Sequence, residues 1–148
     1  MGFDYDLDFK HIDFRKHPEK YKVGRGEQGV LLVEPYKSEI LPHWRFKTPE
    51  IAKVSSEKIY QLFLEYKKEN DLVGMDMARK FLQMGYTRAR RYTNYKGGRK
   101  YDKEGKINDR QIDETKAESA AIFMKKWKMA REDEEYLKCK KEHQRRYG

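Results

Sequence analysis

The chain has 148 residues, 40% of them charged and 37% hydrophobic, and its formal net charge at pH 7 is +9. This length suits one domain over residues 1–148, and an aromatic content of 14% excludes a fully disordered chain despite the many charges. We therefore expect a folded domain with a small, aromatic-rich core.

The single cysteine, Cys139, excludes an internal disulfide and a cysteine-rich metal site. No apolar run approaches the roughly 18 residues that a membrane helix needs. The start "MGFDYDLDF" also lacks the basic and apolar regions of a secretion signal. These observations predict a cytoplasmic protein with no membrane partner, no metal and no cofactor.

Residues 1–20 alternate acidic with aromatic or apolar residues, beginning with Phe3, Tyr5, Leu7 and Phe9. A period of two favours an extended segment that lies on the domain through its aromatic side chains.

The stretch "GRGEQG", residues 24–29, matches the spacing G-x-G-x-x-G but is followed by "VLLVEP". A dinucleotide-binding loop should open a helix, and a kinase glycine loop should be accompanied by later kinase motifs. Neither context is present. The sequence instead favours a small β-hairpin near residues 21–33 that binds no nucleotide.

Three prolines punctuate residues 34–52 and predict an irregular loop, packed down by aromatic residues that include Trp44 and Phe46. Thr48 and Pro49 then form a helix start, and apolar residues at helical spacing continue to about Glu69.

From Leu72 the helical pattern continues as far as Tyr95, with Gly85 as a possible break between two helices. Residues 97–112 are polar and contain glycine, which predicts a mobile basic loop, and residues 113–148 form a C-terminal helical region. The fold class is therefore mainly α, with four or five helices, an N-terminal β-hairpin and the proline-rich packed loop.

Most of the excess charge lies in one segment, because residues 77–101 hold eight cations and no acid. Arginine binds phosphate through two hydrogen bonds, and tyrosine can stack on a base. The basic patch at 79–101 is therefore a candidate site for nucleic acid or another polyanion. Its predicted binding residues are Arg88, Arg90, Arg91, Tyr92, Tyr95, Lys96, Arg99 and Lys100. Two alternatives remain open: acids of residues 131–135 neutralise the patch, or an acidic protein partner binds there.

A second cluster contains Glu34, Glu39 and His43, which are weak candidates for acid–base catalysis on a phosphorylated or anionic substrate. No metal-binding or nucleophile motif accompanies them. The alternative is that the carboxylates form salt bridges that hold the loop. Trp44, Phe46 and Trp127 are interpreted as core residues.

Three strings carry a resemblance: "VGRGEQGVLLVEPYKSEILPHWRFKTPEIA", "GMDMARKFLQMGYTRARRYTNYKGGRKYD" and "KAESAAIFMKKW". Together they resemble an uncharacterised domain-of-unknown-function family seen in marine cyanophages and in some fungi and plants. The resemblance implies a compact, intracellular, single-domain protein and makes a phage origin one expectation. It carries no activity or catalytic residue to transfer.

The sequence thus predicts a non-enzymatic accessory protein that binds DNA or RNA with low sequence specificity. Two other functions stay open: a small enzyme acting on a phosphorylated or anionic substrate, and a structural or assembly protein, for example of a virion.

Overall fold

The computed structural model of the chain describes residues 3–94 and 114–148, with side chains for residues 3–91 and 115–148. These residues form five α-helices and no β-strand, which confirms the mainly helical prediction. The helices are α1 (Tyr36–Ile40), α2 (Pro49–Lys68), α3 (Leu72–Asn94), α4 (Glu114–Arg131) and α5 (Glu134–Tyr147). None of the described helices is long and apolar enough to cross a membrane. The predicted mobile loop, 97–112, lies outside the described residues.

Helix α2 begins where the sequence predicts. The Oγ1 of Thr48 accepts a hydrogen bond from the backbone N–H of Ile51 at 3.2 Å, and Pro49 occupies the first turn. Ile59, Phe63 and neighbouring residues at helical spacing are buried against the core. The helix therefore has both its start and its inner face encoded locally.

Helix α3 is the centre of the domain, and every residue from 72 to 82 is buried. It continues through Gly85 without a break. A Cβ at Gly85 would lie 2.3 Å from Cδ1 of Phe123 on α4. The glycine is required because it allows the Phe123 ring to pack directly against the backbone of α3.

The N-terminal segment, residues 3–21, packs on the core through a row of aromatic rings. It contains turns at residues 5–6, 9–11 and 14–16 and a 3-10 turn at Pro18–Lys20. The rings of Phe3 and Phe9 lie 5.6 Å apart, those of Phe9 and Phe14 6.1 Å, and those of Phe14 and Tyr21 6.3 Å. Burial of these rings fixes a segment that otherwise has little regular structure.

The predicted β-hairpin near residues 21–33 is wrong. The described backbone there forms successive tight turns, in which the N–H groups of Gln28, Val30 and Leu32 each donate to the carbonyl three residues earlier. Gly26 and Gly29 adopt positive φ angles of 55° and 78°, which favour turns at those two positions. The β-branched valines of this stretch are buried in the core, so their apolar pattern reflects burial and not strand pairing.

The proline-rich segment packs against the start of α2. It contains the short helix α1 and a 3-10 turn at Leu41–His43. The Oγ of Ser55 donates to the carbonyl of His43 at 2.6 Å and accepts from the N–H of Arg45 at 2.9 Å. Trp44 then contacts Phe81 of α3, with ring centroids 6.3 Å apart.

Candidate functional site

A buried ion cluster lies in the middle of α3. The Oδ1 of Asp76 lies 2.6 Å from Nη2 of Arg79, and its Oδ2 lies 3.6 Å from Nζ of Lys80. The spacing of three and four residues places all three side chains along one side of the helix. The cluster therefore carries two cations and one anion inside the protein.

Two tyrosines complete the hydrogen bonds of Asp76. Tyr21 donates its hydroxyl proton to Oδ2, and Tyr136 of α5 donates to Oδ1 at 2.5 Å. Burial raises the pKa of Asp76, but the charges of Arg79 and Lys80 outweigh it and hold the pKa well below its usual range. The carboxylate is thus ionised and joins the N-terminal segment, α3 and α5.

Lys80 is fully buried, and its Nζ donates to the carbonyl of Gln28 at 2.5 Å. The ammonium group also lies 5.3 Å from the ring centre of Phe3 and 5.0 Å from that of Tyr21. Burial lowers the pKa of Lys80 to about 8, although Asp76 acts in the opposite direction. The Lys80 ammonium group therefore loses its proton at a lower pH than an ordinary lysine does.

This cluster corrects the extent of the predicted patch at 79–101. Arg79 and Lys80 are interior groups whose charge is partly matched by Asp76, so they do not belong to a surface for nucleic acid. The acid-free segment starts at residue 77, one position after this carboxylate. The pattern Asp76-x-x-Arg79-Lys80 could have revealed the pairing, because residues three and four apart meet on a helix.

The glycine-containing turns lie against α3 and the cluster. The carbonyl of Gly26 accepts from Nη1 of Arg79 at 2.6 Å, and Thr87 donates its hydroxyl to Oε2 of Glu27 at 3.0 Å. A phosphate-binding loop presents backbone N–H groups to its ligand, whereas here backbone carbonyls accept from the chain's own cations. The absence of nucleotide binding at residues 24–29 stays a prediction.

The C-terminal end of α3 carries exposed cations. Arg88, Arg90 and Arg91 are all exposed, and no carboxylate of the described residues forms an ion pair with them. At about 100° per residue, Arg88 and Arg90 lie on nearly opposite sides of the helix, with Arg91 between them. The arginines therefore surround the solvent side of the helix end. The side chains of Tyr92, Tyr95, Lys96, Arg99 and Lys100 lie outside the described part.

The proposed internal neutralisation by residues 131–135 has no counterpart among the described ion pairs. Asp133 pairs with Lys67 of α2 at 2.8 Å and accepts from the N–H of Tyr136 at the start of α5. One acid of that stretch, Asp133, is therefore used to join α2 to α5.

The weak catalytic candidates have local partners. Glu34 accepts from the N–H and hydroxyl of Ser38, at 2.8 and 2.7 Å. Glu39 accepts two hydrogen bonds from Arg15, at 2.7 and 2.8 Å, and one from Tyr66 at 2.7 Å. These bonds hold the segment around α1 in place. His43 is exposed on its 3-10 turn.

The Arg15 hydrogen bond lowers the pKa of Glu39, which favours a permanently ionised carboxylate. A general acid or base at neutral pH would need a pKa shifted in the other direction. Within the described residues, no group of three or more His, Cys, Asp or Glu side chains is arranged to hold a metal ion.

The two tryptophans share one feature. The indole Nε1 atoms of Trp44 and Trp127 are buried and have no hydrogen-bond partner among the described residues. Trp44 contacts Phe46 with ring centroids 5.1 Å apart, whereas Trp127 stacks on Tyr86 at 5.7 Å with Arg131 over its ring at 4.4 Å. Trp44 therefore packs on the rings of Phe46 and Phe81, whereas Trp127 has a cation at one face.

Comparison with curated proteins and with solved structures finds no match. The profile of one protein family, described as "Domain of unknown function (DUF4385)", matches residues 4–146. This match covers nearly the whole chain and agrees with the resemblance seen in its three long strings. The protein belongs to this domain-of-unknown-function family, DUF4385.

Proposed function

We propose that this protein is a non-enzymatic, cytoplasmic accessory protein that binds DNA or RNA through the basic end of α3, with low sequence specificity. The observation that carries the proposal is the exposure of Arg88, Arg90 and Arg91 without a carboxylate partner among the described residues. Farther back on the same helix, Arg79 and Lys80 do have such a partner. Within α3, the unmatched charge is therefore concentrated at the C-terminal end.

The geometry of the helix end suits a phosphate backbone. Arginines on both sides of one helix can contact phosphates on two walls of a groove or on a strand that bends around the helix. Contacts of this kind position a protein on nucleic acid without reading its sequence. We include Tyr92 and Tyr95, which follow directly in the chain, as rings that pack on sugars or bases.

The salt dependence of binding tests the proposal. If roughly four to six cations contact phosphates, the slope of log K against log salt is about −3 to −5. The double variant Arg88→Gln/Arg91→Gln should flatten that slope by about two, because two fewer counterions are released. The measurement is a fluorescence titration of labelled single- and double-stranded oligonucleotides, of DNA and of RNA, at several salt concentrations.

The matched control is Lys16→Gln/Lys20→Gln, which removes two exposed cations from the N-terminal turns. Its slope should equal that of the unsubstituted chain. A chain that binds no oligonucleotide at low salt would contradict the proposal and favour an acidic protein partner. An unchanged slope in the arginine variant would move the nucleic-acid surface away from α3.

A further inference from the structure

A cavity of about 460 Å³ lies between the glycine-containing turns and helices α3, α4 and α5. Residues 23–26 form one wall, and Gln83, Trp127 and Gln144 contribute from the three helices. Arg88, Arg90 and Arg91 are not among the residues that line it. The cavity is therefore a separate feature from the basic end of α3.

Four cations line this cavity: Arg25, Arg79, Arg131 and Lys140. The lining residues include no carboxylate. Asp76 compensates the charge of Arg79 through their ion pair. Arg25, Arg131 and Lys140 form no ion pair with a described carboxylate. Lys140 also lies close enough to Lys80 to help lower the pKa of that buried lysine. The cavity therefore carries a surplus of positive charge.

Arg79 is held rigidly at the base of this group. Its guanidinium donates to Asp76, to the Gly26 carbonyl, to Gln83 and to the hydroxyl of Tyr136. These four bonds use four of its five N–H groups and leave one Nη2 hydrogen without an acceptor among the described residues. A preorganised arginine with only 6% of its surface exposed loses little entropy when it binds a ligand.

Trp127 supplies an apolar wall to the same cavity. Its ring is covered by Arg131, and its indole N–H is buried without an acceptor among the described residues. The side-chain amides of Gln83 and Gln144 add further hydrogen-bond donors. One fixed arginine, three further cations, neutral donors and an aromatic ring are thus gathered in one concave place.

We propose that this cavity binds a phosphorylated small molecule other than a nucleotide, held by side chains and not by the backbone of the glycine-containing turns. Its phosphoryl dianion contacts Arg79, Arg131 and Lys140, because arginine and lysine together match a doubly charged group. The organic part lies against Leu137 and the edge of the Trp127 ring, because Tyr86 and Arg131 already cover the faces of that ring. The volume supports a molecule larger than inorganic phosphate, since small-molecule sites span about 300–1,000 Å³. This site goes beyond the nucleic-acid surface of α3 and does not depend on it.

Intrinsic fluorescence can test the proposal, because Trp44 and Trp127 are the only tryptophans of the chain. In a Trp44→Phe background all tryptophan emission comes from the cavity wall. We expect phenyl phosphate to change this emission saturably at constant ionic strength, and inorganic phosphate to bind at least about fivefold more weakly. Calorimetry of the unsubstituted chain with phenyl phosphate gives the affinity independently of the indole.

The variants Arg131→Gln and Lys140→Gln should each weaken phenyl phosphate binding about tenfold, as loss of a charge-assisted contact does. Lys125→Gln is the matched control: it removes an exposed cation of α4 that does not line the cavity. Urea unfolding of each variant shows whether the fold is intact.

Absence of binding by calorimetry with phenyl phosphate at millimolar concentration would overturn the proposal. Equal weakening by Lys125→Gln would also overturn it, because the effect would then be general attraction and not a site. The variant Arg88→Gln/Arg91→Gln should keep its affinity for phenyl phosphate. The experiments can therefore contradict the proposed phosphate site and the proposed nucleic-acid surface independently of each other.

Discussion

Asp76 and Arg79 form an ion pair with 2.6 Å between Oδ1 and Nη2, although their side chains are only 0% and 7% exposed. Removing charged groups from water is costly, and the cost is recovered only when every partner is present. Here two tyrosine hydroxyls, one further cation and backbone carbonyls provide those partners. The pair should therefore be sensitive to the loss of any single charge.

Asp76→Asn should destabilise the fold by roughly 3–5 kcal/mol, because it leaves Arg79 and Lys80 as uncompensated buried cations. Urea unfolding followed by circular dichroism measures this change. Glu142→Gln is the control, since it removes two close ion pairs, with Arg145 and Arg146, from the exposed face of α5 and should leave the urea midpoint unchanged. An Asp76→Asn midpoint equal to that of the unsubstituted chain would show that the pair contributes no net stability.

Lys80 should make the protein more stable as the pH rises from 7 to about 9.5. Its folded pKa, about 8, lies below its unfolded value, so in this window the unfolded chain binds more protons than the folded one. The free energy of unfolding should increase by roughly 2 kcal/mol from this group alone, at about 1.4 kcal/mol per pKa unit.

Other groups titrate in the same window, so the measurement is the difference between the unsubstituted chain and Lys80→Met. Burial raises the pKa of Tyr21 and of Cys139, and both effects reduce stability as the pH rises. These contributions cancel when the urea midpoints of the two proteins are subtracted at each pH. A difference that stays constant from pH 7 to 9.5 would show that Lys80 titrates normally.

Gly85→Ala should destabilise the fold by roughly 1–3 kcal/mol, although alanine is the better helix former by about 1 kcal/mol. The added methyl would lie 2.3 Å from the Phe123 ring and would push α4 away from α3. In the double variant with Phe123→Leu the two losses should not add, because the smaller side chain relieves the clash. If the two single variants lower the thermal denaturation midpoint by amounts that add up in the double variant, the loss of stability would arise within α3 and not from the contact with Phe123.

Glu39→Ala should lower stability by about 1–3 kcal/mol, because it removes the acceptor shared by Arg15 and Tyr66. The expected result is a shift of the urea midpoint, with nucleic-acid affinity unchanged. An activity on an anionic substrate that disappears in Glu39→Ala, with the fold intact, would instead support the enzymatic alternative.

The helices could be predicted because their signals are local. Thr48 and Pro49 mark the start of α2, and the apolar period of α3 extends past Gly85. The hairpin prediction was wrong because a buried run of β-branched residues looks the same whether it pairs as a strand or packs as turns. The role of Gly85 could not be predicted from α3 alone. The glycine leaves room for the ring of Phe123 on α4, 38 positions later in the chain.

The buried ion cluster and the cavity were harder to predict than the helices, because their residues are distant from one another in the chain. Asp76 was missed since it lies just outside the acid-free window, although its spacing to Arg79 was a usable signal. The cations of the cavity come from the glycine-containing turns, α3, α4 and α5, and no spacing in the sequence brings Arg25, Arg131 and Lys140 together. Only the packing of the helices does so.

The Nε2 of His143 donates to the carbonyl of Tyr21 at 2.5 Å, across 122 positions of the chain. Closing so long a loop costs more entropy than forming the neighbouring helices α2 and α3, so this contact should belong to a late stage of folding. Tyr21 also bonds to Asp76, and α5 also lines the cavity. The cavity is therefore completed only when the N-terminal segment packs on α5, which places its formation late in folding.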